Sequence, residues 1–187
     1  MNFIVKLSKS KNPTTEKEYD SIMIVVNRLI KWTYFISYQE NMRAEETAYL
    51  FEWHIIANHE TSTEIITNRD IRFRATFWKT LMSSREIKIK MSISEHAQTD
   101  RQTERLNQIL EQYLWCYVNY QQDNWIKWLS RAQFAYNNSI HSSTEMTSFF
   151  AEYEREMMTQ QTALITESKN DKARLTENEQ QQVYKQL

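Results

Sequence analysis

The sequence predicts a mixed α/β domain in which helices cover a sheet. Three observations lead to this. Apolar residues alternate between strand-length runs and helical stripes, in the order β-β-β-α-β-α-β-α-α. Ten Tyr, eight Phe and six Trp supply the bulk of a globular core. The third is an absence: 187 residues contain no glycine, where about a dozen would be usual. Glycine takes φ > 0 without a steric penalty, so turns and helix C-caps normally depend on it. A glycine-free chain tends to be a long helix or coiled coil, yet this one has strands and aromatics. Other residues must therefore make its turns.

Phe3-Ile4-Val5 reads as a first short strand. Ser8 to Glu18 is polar, holds the only proline, Pro13, and reads as a loop or hairpin connection. Ile22 to Val26 is a continuous apolar run of strand length, as in a strand buried on both faces. Trp32 to Tyr38, aromatic and β-branched, reads as its hairpin neighbour. Ala44, Ala48, Phe51 and Ile55 recur at amphipathic-helix spacing. Thr63 to Thr67 is a short strand, and Phe73, Phe77 and Leu81 mark a helix. Ile87 to Met91 alternates with Lys88 and Lys90, the pattern of a half-exposed edge strand whose lysines discourage further pairing. Ser92 to Asp100 is polar and irregular. A clear helix follows, with Leu106, Ile109, Leu110, Tyr113, Leu114 and Tyr117 on one stripe and Asp100 or Thr99 as a candidate cap. Trp125, Trp128, Leu129, Ala132 and Ala135 form the stripe of another helix, with Asp123 at its start. It ends near Asn137-Asn138, where Asn can replace a C′ glycine. Beyond Met158 the chain is rich in Gln, Glu and Lys and reads as a helical or disordered tail.

Charge and composition exclude several classes. Lys plus Arg number 23 against 24 Asp plus Glu, a net charge of −1, so no global basic field announces nucleic acid. Cys116 is the only cysteine, which excludes an intramolecular disulfide and any multi-cysteine zinc site. No apolar run approaches a membrane span, and the N-terminus has no signal-peptide core. The chain reads as soluble and intracellular. His54 and His59, five apart without a cysteine pair, read as ordinary helix-side or loop histidines. Trp115/Tyr117 and Trp125/Trp128 could stack on bases, but at helical spacing they read as core.

Several stretches then resemble a known family. They are Met1-Asn2-Phe3-Ile4, Tyr19 to Lys31, Thr67-Asn68-Arg69-Asp70-Ile71-Arg72-Phe73, His96 to Asn107, and Ala135-Tyr136-Asn137-Asn138-Ser139. Together, over roughly residues 1 to 155, they resemble the catalytic core of Ty3/Gypsy-type retrotransposon integrases. The resemblance implies an RNase H-like fold with a five-stranded mixed sheet flanked by helices. It divides the chain into a core-like domain, residues 1–155, and a polar tail, 156–187. It implies that such proteins join element DNA ends to a target duplex, with DNA as partner, self-association open, and the nucleus as the place of action. The chain begins at the core's first strand, so the family's preceding zinc-binding module is expected to be absent.

The resemblance also implies two Asp and one Glu holding two Mg²⁺ (or Mn²⁺) ions. Two ions a few Å apart activate the attacking oxygen and stabilise the leaving one, and magnesium prefers charged oxygen ligands. Mapped here, those positions are Asn2, Asn68 and Glu104. Two of the three charged ligands are amides, so metal binding is expected to be weak or lost and strand transfer negligible. Asp70 lies two residues beyond Asn68, a doubtful reach for a substitute. Spacing alone reads Glu104 as a solvated residue of a helix's first turn, favourable to its dipole. Arg101 and Arg105 beside it are candidate phosphate contacts, or simply charges on an exposed helix start.

The departures from the family pattern share one character. Glu60, Glu145, Glu154 and Arg101 stand where glycine is expected. Ser37, Ser62, Ser130 and Ser148 stand where proline is expected, and Asn2, Asn27 and Asn68 where aspartate is. Each is one G-to-A or C-to-T transition away, and Asn outnumbers Asp by 13 to 5. Ala97, at another proline position, is not such a change. The pattern is that of a decayed element copy. Three other roles remain open from sequence: a non-catalytic DNA-binding or assembly protein, a functionless relic, and an enzyme using displaced ligands.

Overall fold

The computed structural model describes residues 1–59, 63–67, 70–91 and 97–157. The chain divides into two units, Met1–Ser148 and the stretch from Phe149 onward. In the first, β1 (Asn2–Ile4), β4 (Ser21–Val26) and β5 (Thr33–Tyr38) form an antiparallel sheet in the order β1-β4-β5. Between β1 and β4, β2 (Ser10–Lys11) and β3 (Glu18–Tyr19) form a small hairpin, one of the two forms read for this stretch. After β5 come α1 (Ala44–Phe51), which runs on as a π-helical turn (Glu52–Ile56), and then β6 (Glu64–Thr67). Next are α2 (Ile71–Arg74), α3 (Thr76–Ser84) and β7 (Lys88–Met91), the last pairing parallel with β6. The helices α4 (Ala97–Trp115) and α5 (Ile126–Asn137) complete this unit.

β4 explains the core. Its side chains alternate between two faces, and both faces are buried. Met23 and Val25 join Phe3, Ile36 and Tyr38 under α1, α2 and α3, where Phe51, Phe73, Trp78 and Met82 pack. Ile22 and Ile24 join Ile4 and Phe35 on the other face, under Leu106, Leu110 and Leu114 of α4 and Leu129 and Ala132 of α5. The uninterrupted apolar run is therefore the signature of the middle layer of three.

The structure corrects five expectations. The five-stranded sheet is instead a three-stranded antiparallel sheet and a two-stranded parallel one among the described residues. β1 is only three residues long, and the link across the gap is the amino group of Met1, which donates to the Ile66 carbonyl at 2.7 Å. Burial lowers the pKa of that amine to about 6, with the charge of Arg28 acting in the same direction. The stripe Phe73–Phe77–Leu81 is broken at Ala75, whose extended ψ of 144° ends α2 and resets the helical phase. Trp78 and Met82 are buried as a result, and Phe77 is exposed. α4 starts at Ala97, so neither Thr99 nor Asp100 is its cap. Trp115 and Tyr117 are exposed rather than core, because α4 ends at Trp115, beyond the last buried turn at Leu114. Asn138, with φ −97°, is not left-handed.

At the end of α5, Asn137 turns inward instead. Its Oδ1 accepts the Thr33 amide at 2.9 Å and its Nδ2 donates to the Thr33 carbonyl at 2.9 Å, closing the edge of β5 onto α5. The residue is buried. Truncation would remove two buried hydrogen bonds and strand a strand-edge amide and carbonyl. We expect Asn137→Ala to cost about 2–4 kcal/mol, read as a lower urea midpoint at unchanged m-value.

Among the described residues, seven non-glycine residues have φ between 53° and 64°: Lys6, Glu16, Lys31, Glu86, Gln122, Glu145 and Glu154. Glu145 and Glu154 are two of the four positions at which glycine was expected. Of the other two, Glu60 lies outside the described residues and Arg101 lies within α4. α6 (Ser148–Tyr153) carries Phe149 and Tyr153 of the second unit, whose rings lie tilted with centroids 4.8 Å apart. The tail read beyond Met158 lies outside the described residues.

Candidate metal and nucleic-acid site

Strand β1 positions Asn2. Phe3 faces the layer of α1 to α3, so Asn2 shares the opposite face with Ile4, the face that α4 covers. Asn2 pairs in register with Ile24, and its Oδ1 accepts the Phe3 amide at 2.9 Å. The Met1–Ile66 hydrogen bond sets this end of β1 beside β6, two residues before Asn68. Asn68 itself lies outside the described residues. Asp70, the doubtful substitute, precedes α2, and its carbonyl accepts the Phe73 amide at 3.2 Å.

Glu104 and Arg105 are exposed on α4, just before Leu106, which is anchored in the core. Arg101 lies one turn earlier on the same helix. The fold thus sets the start of α4 and the face carrying Asn2 on one side of the sheet. The donor set does not fit a two-magnesium site. Asn2 offers a neutral oxygen already engaged with backbone, and Glu104 offers the single carboxylate of the three mapped positions. Among the described residues, no group of three or more His, Cys, Asp or Glu is placed to hold a metal ion. His59 Nε2 lies 2.7 Å from the Tyr34 hydroxyl, and burial lowers the pKa of His54.

A second feature was missed by sequence reasoning. Lys31, Arg105 and His141 line an open cavity of about 700 Å³ between α4, α5 and the stretch 139–143. Phe35 and Tyr136 line it too, with ring centroids 6.1 Å apart, and the His141 ring lies 4.8 Å beyond Tyr136. Burial lowers the pKa of His141, and the charge of Lys31 adds to this. Burial raises that of Tyr136, against opposing effects of Thr33 and Arg105. These residues come from four separate stretches, so no local spacing could have grouped them.

This architecture is the integrase catalytic-core fold. The chain is similar to the HTLV-2 integrase catalytic core domain solved in complex with magnesium in a trimeric form, with TM-score 0.57 and 15% identity over 79% of this chain and 93% of that one. It is similar to a chain of a simian T-cell lymphotropic virus intasome, with TM-score 0.60 and 15% identity over 84% of this chain and 56% of that one. The catalytic core domain of BIV integrase gives TM-score 0.56 and 15% identity, over 82% and 93%. By sequence, the chain is homologous to the Tf2 retrotransposon polyproteins of Schizosaccharomyces pombe. The Tf2-3 and Tf2-4 polyproteins are each 34% identical to it over 149 residues, 80% of this chain. The match spans only 11% of those polyproteins' length. No protein-family model matches the chain. Among the described residues, no helix is long and apolar enough to cross a membrane.

Proposed function

We propose that the chain is the catalytic-core portion of a retrotransposon integrase that has lost two-metal strand transfer and retains, at most, DNA contact or assembly. Residues 1–155 form the core-like domain in this reading and 156–187 its polar tail, with the nucleus as the site of action. The observation that carries it is the pairing of integrase-core architecture with amides at Asn2 and Asn68, beside the single carboxylate of Glu104. An amide oxygen can coordinate Mg²⁺ but brings no charge, and its NH₂ group must be directed away. One negative charge stands where the chemistry calls for three.

Decay of the coding sequence accounts for the same substitutions. A G-to-A change converts the Asp codon to Asn and the Gly codon to Glu, so one mutational bias would empty the site and burden the turns. Sequencing tests this directly: codons that differ from intact relatives without an excess of transitions would refute it.

DNA contact is assigned to Arg101 and Arg105, one turn apart near the start of α4. In an equilibrium titration with duplex DNA, binding is expected to weaken as salt rises and to need no Mg²⁺. Replacing both arginines with alanine should lower the slope of log K against log salt by about 2, roughly one per phosphate contact. An unchanged slope would remove both residues from the interface.

A further inference from the structure

The cavity between α4, α5 and residues 139–143 has a chemistry that the metal-site reading does not use. His141 Nε2 is buried and, among the described residues, has no hydrogen-bond partner. Buried polar atoms are rarely left so, which makes this nitrogen a ready contact for a bound polar group. Two cations share the wall with it. Arg105 is exposed and makes no ion pair among the described residues. The Lys31 ammonium donates to the Arg28 carbonyl at 2.7 Å and likewise has no carboxylate partner there. The rest of the wall is mixed: the rings of Phe35, Tyr136 and His141 follow one another at steep angles, 63° and then 57°, and Ile140, Ser139, Ser142 and Ser143 line it with them.

We propose that this cavity binds a nucleotide, with its phosphate between Lys31 and Arg105, its base against the Tyr136 face and a base or sugar polar atom on His141 Nε2. Each part of the wall selects part of the ligand. A simple anion would leave the ring wall unused, and an apolar molecule would leave two cations and the imidazole nitrogen unanswered. Charge-assisted bonds from arginine suit a phosphate, and ring faces accept any base. The volume lies within the range of small-ligand sites, about 300–1,000 Å³. A base stacked inside a duplex cannot present its face to Tyr136, so the ligand is either a free nucleotide or an unpaired nucleotide at a strand end.

The proposal extends the DNA-contact reading of Arg105, and one set of titrations separates the two. The full chain is titrated with dAMP, deoxyadenosine, inorganic phosphate, a short single-stranded oligonucleotide and a blunt duplex. Saturable binding of dAMP, tighter than that of deoxyadenosine or phosphate, is the expected result and identifies a free nucleotide as sufficient. Binding of the oligonucleotide but not dAMP also supports the pocket and assigns it to a strand end. In either case Arg105→Glu should weaken binding about tenfold or more, whereas Lys79→Glu, an equal charge change on the exposed face of α3, should not. Phosphate binding as tightly as dAMP, equal losses in both variants, or no binding of any single-stranded ligand would overturn the proposal. A chain that binds the duplex but no nucleotide refutes the pocket alone, and one that binds dAMP but no duplex refutes the duplex contact alone.

Discussion

Placing glycine at Glu16, Glu86, Glu145 and Glu154 together is expected to stabilise the chain by about 3–4 kcal/mol. All four have φ between 53° and 57°, where a Cβ crowds the following carbonyl at a cost of about 1–2 kcal/mol per residue. Glycine removes that clash but loses more backbone entropy on folding, about 0.5–1 kcal/mol. A net gain near 1 kcal/mol per site remains, and separate turns should add. For a chain of this size the sum should raise the melting temperature by about 10 °C. Thermal unfolding by calorimetry reads it directly. A control variant, Glu111→Gly in the middle of α4, should lose stability by about 1 kcal/mol. If the four-site variant were no more stable than the parent, the left-handed glutamates would not be a burden. The effect matters because total stability for such domains is only about 5–15 kcal/mol.

How much of this was legible in the sequence depended on how local the cause was. The run Ile22 to Val26 announced a strand buried on both faces, and Met23 and Ile24 are indeed fully buried on opposite sides. The leucine stripe of α4 was legible for the same reason: periodicity records which face meets the core. The register of Phe73, Phe77 and Leu81 failed because one extended residue, Ala75, interrupts the helix, and periodicity cannot detect a reset of phase. Asn137 was read as a helix terminator, whereas its amide spans to Thr33 across more than a hundred residues of chain. Among the site residues, Asn2 and Glu104 drew notice only through family resemblance, since each is an ordinary polar residue by composition. Left-handed backbone at Glu145 and Glu154 was legible because the resemblance placed glycine there. At Lys6, Glu16, Lys31, Glu86 and Gln122 the resemblance marks no glycine, and the residue types themselves give no hint of φ.

The largest functional effect is expected from Asn2→Asp combined with Asn68→Asp. Neither substitution alters side-chain size, so the fold should tolerate both; at Asn2 the Oδ1 that accepts the Phe3 amide is retained. What changes is charge. Two unit charges 4 Å apart attract by about 1 kcal/mol even at the dielectric of bulk water, and a divalent ion doubles this for each carboxylate. Two restored carboxylates therefore supply about 4 kcal/mol toward a bound ion, close to three orders of magnitude in affinity. Titration with Mn²⁺ should show weak or no saturable binding for the parent and clear saturation for the double variant. Adding Glu104→Gln to that variant should take back about half of the gain, about 2 kcal/mol or roughly thirtyfold in affinity, because the third ligand is then neutral.

The most direct test of the account is a strand-joining assay on the parent chain, the Asn2→Asp/Asn68→Asp variant and Glu104→Gln, with Mg²⁺ or Mn²⁺ and model element-end DNA. The account predicts no joining by the parent and metal-dependent joining by the double variant. Joining by the parent that disappears in Glu104→Gln would contradict it, because the chain would then be an active enzyme with displaced ligands.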